Sequence, residues 1–401
     1  MKKVIIENYK EKASIIRTLL YLFILAFFSF FVFSCQKEVK SKCKDCMILH
    51  ASLDEETISL ERFFDKIELI PLETTDNSLI RSIEKYVFFD GKHYILDRTQ
   101  SILFIFDKEG FFLNRIDKKG QGPGEYSLIY DFSVNPKKEQ IEMLSPYRYI
   151  YCYDFDGNFI KKYDLTFLEA QNIQNMNILD DKNYIVWSCN PDNQDGISII
   201  SQETGEQVNS FWQDHSIFNV WTSNVFYTFE DETYFCLRLY NTVYKVTKGG
   251  MEAIYEWNFG NKTMDISRYD LAHGLINHNR DRDNMIKLLE DKIIPYEISR
   301  HAQNKRYYYI ELLIGRKNAK HVFYDKVTGK STYIDEYFSE GVRFRRMLFF
   351  TDEFIINMLD YNSKEKLLEC PLLDEANKKK LLSFKWDDNP FLIKYYFKKD
   401  E

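Results

Sequence analysis

The chain is short of the residues that break regular structure, with 8 prolines and 15 glycines in 401 positions. After residue 50 no long low-complexity or Gly/Ser stretch interrupts it, which excludes a flexible multi-domain string and favours one closed domain. Positive charge is not in excess: 54 Lys and Arg stand against 61 Asp and Glu, a net charge of −7. A nucleic-acid partner is therefore not expected, because phosphate binding needs a surplus of cations to displace counterions. Catalytic signatures are missing too. There is no GxSxG elbow, no cysteine in a nucleophile context, and no HxH or HExxH spacing for a metal. Of the 7 cysteines, Cys43 and Cys46 form a lone CxxC without the second ligand pair or βαβ setting that zinc or thioredoxin-like chemistry requires. A local disulfide or two idle thiols is what remains for that pair. Cys152, Cys189, Cys236 and Cys370 lie in or beside apolar runs, as small buried thiols do.

Aromatic residues, by contrast, are abundant: 33 Phe and 28 Tyr in a chain that is 45% hydrophobic. Flat rings and branched side chains pack well on pleated surfaces, so the composition points to strands around a large core. One phrase recurs, an apolar run, a polar turn closed by glycine, and a second apolar run. It reads FIFDKEGFFLNRI around Gly110, YCYDFDGNFIKKY around Gly157 and SIISQETGEQVNSF around Gly205, then VYKVTKGGMEAIY around Gly249 and VFYDKVTGKSTYI around Gly329. The first four are about 44 to 48 residues apart, within the roughly 40–50 of a propeller blade.

Read strand by strand, the first blade covers Ser82–Asp90, His93–Asp97, Ile102–Asp107 and Phe111–Ile116. Its final hairpin turns at Gly110, where positive φ is cheap. Asp107 and Asp154 sit at such hairpins, where an aspartate accepts from turn amides. They read as turn formers rather than as the paired carboxylates of a glycosidase. The last blade has three strands at the C-terminal end, in Arg343–Phe350, Phe354–Leu359 and Phe391–Phe397. Lys66–Leu72 precedes blade one with no partner in it. Placed as the outer strand of blade six, it closes the ring and removes exposed edges. The expected fold is all-β, a six-bladed propeller of four-stranded blades with a partly helical insertion at about 261–295. That insertion holds His273, His278, Asp281 and Asp283, without metal-ligand spacing, and reads as a lid or partner-docking element.

The N-terminus has the plan of an export signal. Lys2, Lys3, Lys10, Lys12 and Arg17 precede the apolar stretch Leu19–Phe33, which is shorter than the ~20 residues of a membrane-spanning helix. It ends in Val32-Phe33-Ser34-Cys35, similar to a bacterial lipobox, with Cys35 as the lipid-attachment site. The alternative is an uncleaved membrane anchor. The expected organisation is a signal peptide over 1–34, a polar tether over 35–50 and the propeller over 51–401.

IPLETTDNSLI (Ile70–Ile80), YILD with IFIFDKEG, GQGPGEY (Gly120–Tyr126) and NPFLIKYYF (Asn389–Phe397) together resemble the six-bladed β-propeller lipoproteins of Bacteroidetes, themselves similar to NHL-repeat propellers. The resemblance implies a protein of the cell envelope, an outer-membrane lipoprotein facing the periplasm or the outside. It implies no cofactor, and the family's function is largely unassigned.

In a propeller the loops between the second and third strands share one face with the links between blades. Arg98, Arg148, Arg238 and Arg316 fall in or beside such loops, where arginines could grip carboxylates, sulfates or phosphates bidentately. Tyr147, Tyr149 and Tyr240 lie next to them. GQGPGEY superficially resembles a phosphate cradle, but a strand follows it rather than a helix. A tight link with Tyr126 packed beneath and Glu125 satisfying loop amides is expected, and with Gln121 it remains a candidate binding loop. The function expected is binding of a glycan, peptide or envelope protein on the loop-rich face. Alternatives are a hydrolase or lyase using the channel, and a structural subunit of an outer-membrane complex.

Overall fold

A computed structural model describes residues 43 and 45–399, apart from 55–57, 169–172, 189–195, 212–223, 239, 264–289, 291–294, 296, 316–317, 336–343, 345 and 360. The leader with Cys35, the insertion's histidines and aspartates, and Arg316 lie outside the described residues.

The strands assemble into six sheets. Their innermost strands are Lys85–Phe89, Asp131–Asn135, Ile173–Asp180, Phe226–Phe229, Glu297–Gln303 and Met347–Phe350. Each lies against the next, and the sixth returns to the first, so the sheets are six blades of a closed propeller. Both faces of a blade are covered by its neighbours, which is why its strands are near-continuous apolar runs rather than alternating ones. In Ile102–Asp107, Ile102, Phe104 and Phe106 pack toward blade six, while Leu103 and Ile105 pack toward blade two. An apolar cluster of this kind fills every junction between blades.

Closure takes place in blade six. Phe64–Pro71 pairs antiparallel with Phe391–Phe397 as its outer strand, with Ile70 opposite Leu392. The glycine hairpins have a second task besides reversing the chain. Gly110 has φ +96°, and a Cβ there would lie 2.0 Å from the carbonyl oxygen of Pro71, in the outer strand of the preceding blade. Further round the ring, Asn114 donates to the Asp156 carbonyl at 2.9 Å, Tyr163 to that of Gln202, and Asn209 to that of Lys248 at 2.9 Å. Each hairpin thus docks on the blade before it. The aspartates act as expected: Asp107 accepts from Glu109 and Phe111 amides at 3.0 and 2.8 Å, and Asp154 from Asp156 and Asn158 at the same distances.

Two features differ from the sequence reading. Met47–His50, placed in the tether, forms a fifth strand parallel to the outer strand of blade four, Gly250–Asn258. Its Leu49 is fully buried in a cluster with Trp257, an apolar gain that a solvated tether would forgo. From there the chain skirts blade five, where Ile58 N donates to Tyr333 O at 3.0 Å, and enters blade six through the short helix Leu60–Phe63. The CxxC cysteines just ahead of this strand are joined by a disulfide.

The second difference lies between Phe354–Met358 and Phe391–Phe397, where helices Lys364–Leu368 and Glu375–Ser383 are inserted. Asp374 caps the second helix by accepting from Asn377 N at 2.8 Å. Asn377 accepts in turn from Leu69 N at 2.8 Å, and Lys380 donates to Leu69 O at 2.8 Å. The helix thereby satisfies backbone groups on an edge that would otherwise template other strands.

Candidate ligand-binding site

Every innermost strand starts where its neighbour, the second strand, ends: Lys85 is opposite Leu96, Asp131 opposite Leu144 and Met347 opposite Asn357. The loops after the second strands therefore open at the same end of the channel as the first residues of the innermost strands. That shared end forms the channel mouth.

Around blades one to three a charge clasp joins the innermost strands. Lys85 Nζ lies 2.6 Å from Asp131 Oδ1. The other Asp131 oxygen accepts from Met176 N at 2.8 Å, so one buried carboxylate ties three blades together. Blades four to six differ. Arg346, immediately before the innermost strand of blade six, donates to the carbonyls of Ile83 and Glu84 at 3.2 and 3.4 Å. Arg300 stands on the innermost strand of blade five, opposite Glu311. Arg238 follows the second strand of blade four, and its carbonyl accepts from Ile298 N at 2.8 Å. Burial, then repulsion from Arg346, lowers the Arg300 pKa to about 10, with Arg238 adding to the effect and Glu311 partly offsetting it. Glu311 has one oxygen taken by Ser299 Oγ at 2.7 Å, while its buried Oε2 has no protein partner. Arg300 thus stands opposite Glu311, with Arg346 and Arg238 close enough for their charges to weigh on it, in a partly desolvated corner where an anion gains most from such cations.

The residues expected from sequence fall in several places. Arg98 stacks on Tyr130, its guanidinium carbon 3.7 Å from the ring centroid. Arg148, at φ +70°, donates to the carbonyls of Thr166 and Leu168, both at 3.0 Å, and so fastens its own loop. Of the three described, Arg238 is the one placed near other arginines; Arg316 lies outside the described residues. Tyr147 is exposed. Tyr126 is buried and shares its one hydroxyl hydrogen between the Ser101 and Ile116 carbonyls, each 3.0 Å away, while Glu125 accepts from Gly122 N at 2.9 Å. Gln121 is exposed on that same loop. The loop packs against the outer part of blade two, with Gly124 under the Phe159 ring and its carbonyl bound by Tyr153 at 2.8 Å. It is not part of the arginine corner.

Sequence reasoning missed Lys85, Arg300 and Arg346. A signal for two of them existed: KYVFF from Lys85 and RMLFF from Arg346 share a pattern, with a cation entering an innermost strand in each. Arg300 carries no such mark. Among the described residues no group of three His, Cys, Asp or Glu could hold a metal ion, and no helix is long and apolar enough to cross a membrane.

One family model, described as "Domain of unknown function (DUF4934)", matches residues 48–396. Among solved structures, an exported protein of Bacteroides fragilis matches with a TM-score of 0.71 at 18% identity, covering 88% of this chain and 100% of that one. A member of the duf4221 family from Bacteroides vulgatus matches with a TM-score of 0.50 at 16% identity, covering 83% and 98%. These likenesses concern the fold. Among curated proteins none matches.

Proposed function

We propose that this chain, which belongs to the DUF4934 family, is a propeller of the cell envelope that binds an anionic ligand at its channel mouth through Arg238, Arg300 and Arg346. The observation that carries the reading is Arg300 on the innermost strand of blade five, opposite Glu311 and within electrostatic reach of Arg346 and Arg238 from the blades on either side. A folded protein holds like charges together at a cost in stability, and a carboxylate, sulfate or phosphate on a glycan, peptide or partner protein would relieve it. The N-terminal plan of basic residues, apolar stretch and Cys35 supports export and attachment by lipid.

The test is binding to envelope-derived acidic glycans and peptides, compared between the parent and Arg300→Gln. Loss of tenfold or more in affinity on that substitution, with folding intact, is the expected result. Unchanged affinity for every ligand found would end the claim for this corner. Arg98→Gln serves as the control, because its guanidinium already lies on Tyr130.

A further inference from the structure

The opposite end of blades five and six carries a second opening, a half-open cleft of about 670 Å³. It is built from the turn between the first two strands of each blade, together with the end of the third strand and the start of the outer strand of blade six. Its volume falls within the range of small-molecule and saccharide sites. Tyr307, Tyr396 and Phe397 line it, and the rings of Tyr307 and Phe397 lie 5.5 Å apart.

Among the described residues that line this cleft, cations outnumber carboxylates, the acids being Asp65, Asp352 and Glu353. Lys305 Nζ lies 3.7 Å from Asp352, and Arg306 Nε lies 3.1 Å from Asp325. Lys66, Lys398 and Lys399 line the same cleft and are exposed. Lys66 rests 4.4 Å above the Tyr396 ring, so an aromatic face holds its ammonium over the opening. Cationic side chains beside aromatic rings suit a ligand that has both a flat C–H face and a negative charge. Rings take the face and ammoniums take the charge.

We propose that this cleft is a second binding site, independent of the channel mouth, for acidic saccharides: pyranose rings bearing a carboxylate or a sulfate. The sugar ring lies against Tyr307 and Phe397, and the acid group is held by Lys398 and Lys399. Lys305 and Asp352, already paired across the two blades, frame one wall and position hydroxyl partners.

The experiment is calorimetric titration of the full chain with a polygalacturonate oligomer, a sulfated glycosaminoglycan oligomer and a neutral oligomer of similar length. The same titrations are run on Lys398→Ala/Lys399→Ala, whose positions are exposed and leave the core alone. Expected is binding of one or both acidic oligomers, weakened about tenfold in the double variant and weakened by salt, with the neutral oligomer bound poorly or not at all. Which acidic oligomer binds identifies the acid group. A chain ending at Lys399 is included because Asp400 and Glu401 follow the two lysines in sequence; it should bind at least as tightly as the full chain. Equal binding of the neutral oligomer, no binding of either acidic one, or acidic binding untouched by the double substitution would each overturn the proposal. Arg300→Gln should leave this binding unchanged, so failure here and failure at the mouth are separable.

Discussion

Blades one to three and blades four to six solve the same packing problem differently. In the first half the outer strands end the sheet. Exposed Leu113, Ile160 and Val208 lie along them, and at the mouth Lys85 is paired with Asp131. In the second half the N-terminal segment runs along the perimeter, adding a strand to blade four, touching blade five and closing blade six. There Arg300 faces Glu311 and feels the charges of Arg346 and Arg238. The two halves thus differ in both respects: one is braced at its edges and brings cations near one another at the mouth, and the other has open edges and a paired Lys85 and Asp131 there.

The sharpest way to break this picture is to remove the brace. Deleting residues up to Pro71 takes away the outer strand of blade six, and loss of a cooperative thermal transition is the expected outcome. Deleting only as far as His50 should lower the midpoint while keeping cooperativity. If the two truncations behave alike, the brace is not what closes the ring.

Next in size is the hairpin docking of the first half. Gly110→Ala places a methyl group against the Pro71 carbonyl at positive φ, and should cost about 3 kcal/mol by chemical denaturation. Gly91→Ala, also at positive φ but in open space, should cost about 1 kcal/mol. Equal costs would show that close approach to the neighbouring blade contributes nothing.

The charge contrast predicts effects of opposite sign. Asp131→Asn should destabilise by about 2 kcal/mol, because it leaves Lys85 without its anion in a mostly buried place. Arg300→Gln should leave stability equal or slightly higher, since it relieves repulsion from Arg346 and Arg238. A destabilising Arg300→Gln would mean that the arginine corner is structural.

Acid should affect both halves. Burial lowers the pKa of His93 in blade one to about 4, and that of His301 in blade five to about 3. Between those values and the ordinary 6.5, the unfolded chain binds protons that the folded chain refuses. Stability therefore falls as pH drops from about 6.5 toward 4. Replacing His93 with Gln should flatten that slope, by at most about 3 kcal/mol across the window. A slope unchanged in denaturation series at pH 6.5 and 4.5 would rule out His93 as a source. Arg148→Ala should cost about 1 kcal/mol from its two carbonyl bonds and leave ligand affinity unchanged.

The architecture was legible because its signals are local and repeated. Gly110, Gly157 and Gly205 mark successive hairpins, and KIELIPL, unpaired in its own neighbourhood, had to find a partner elsewhere. The strand at Met47–His50 was missed because four residues carry too little pattern to be told from a tether. The helix Glu375–Ser383 was missed, and its role on Leu69 joins residues some 300 positions apart. The arginine corner was hardest to see. Arg98 and Arg148 occupy the same kind of loop as Arg238, and only packing determined that Arg98 lies on Tyr130 while Arg148 fastens its own turn.

The amino-acid order by itself determined the period, the turn chemistry and the continuous apolar strands, hence a ring of blades, because each depends on neighbours a few residues away. Only the tertiary structure decided which cations share a corner, which are already satisfied, and where the cleft between blades five and six opens. Those outcomes depend on the curvature that brings separate blades together, and on which carbonyls and carboxylates each side chain meets there.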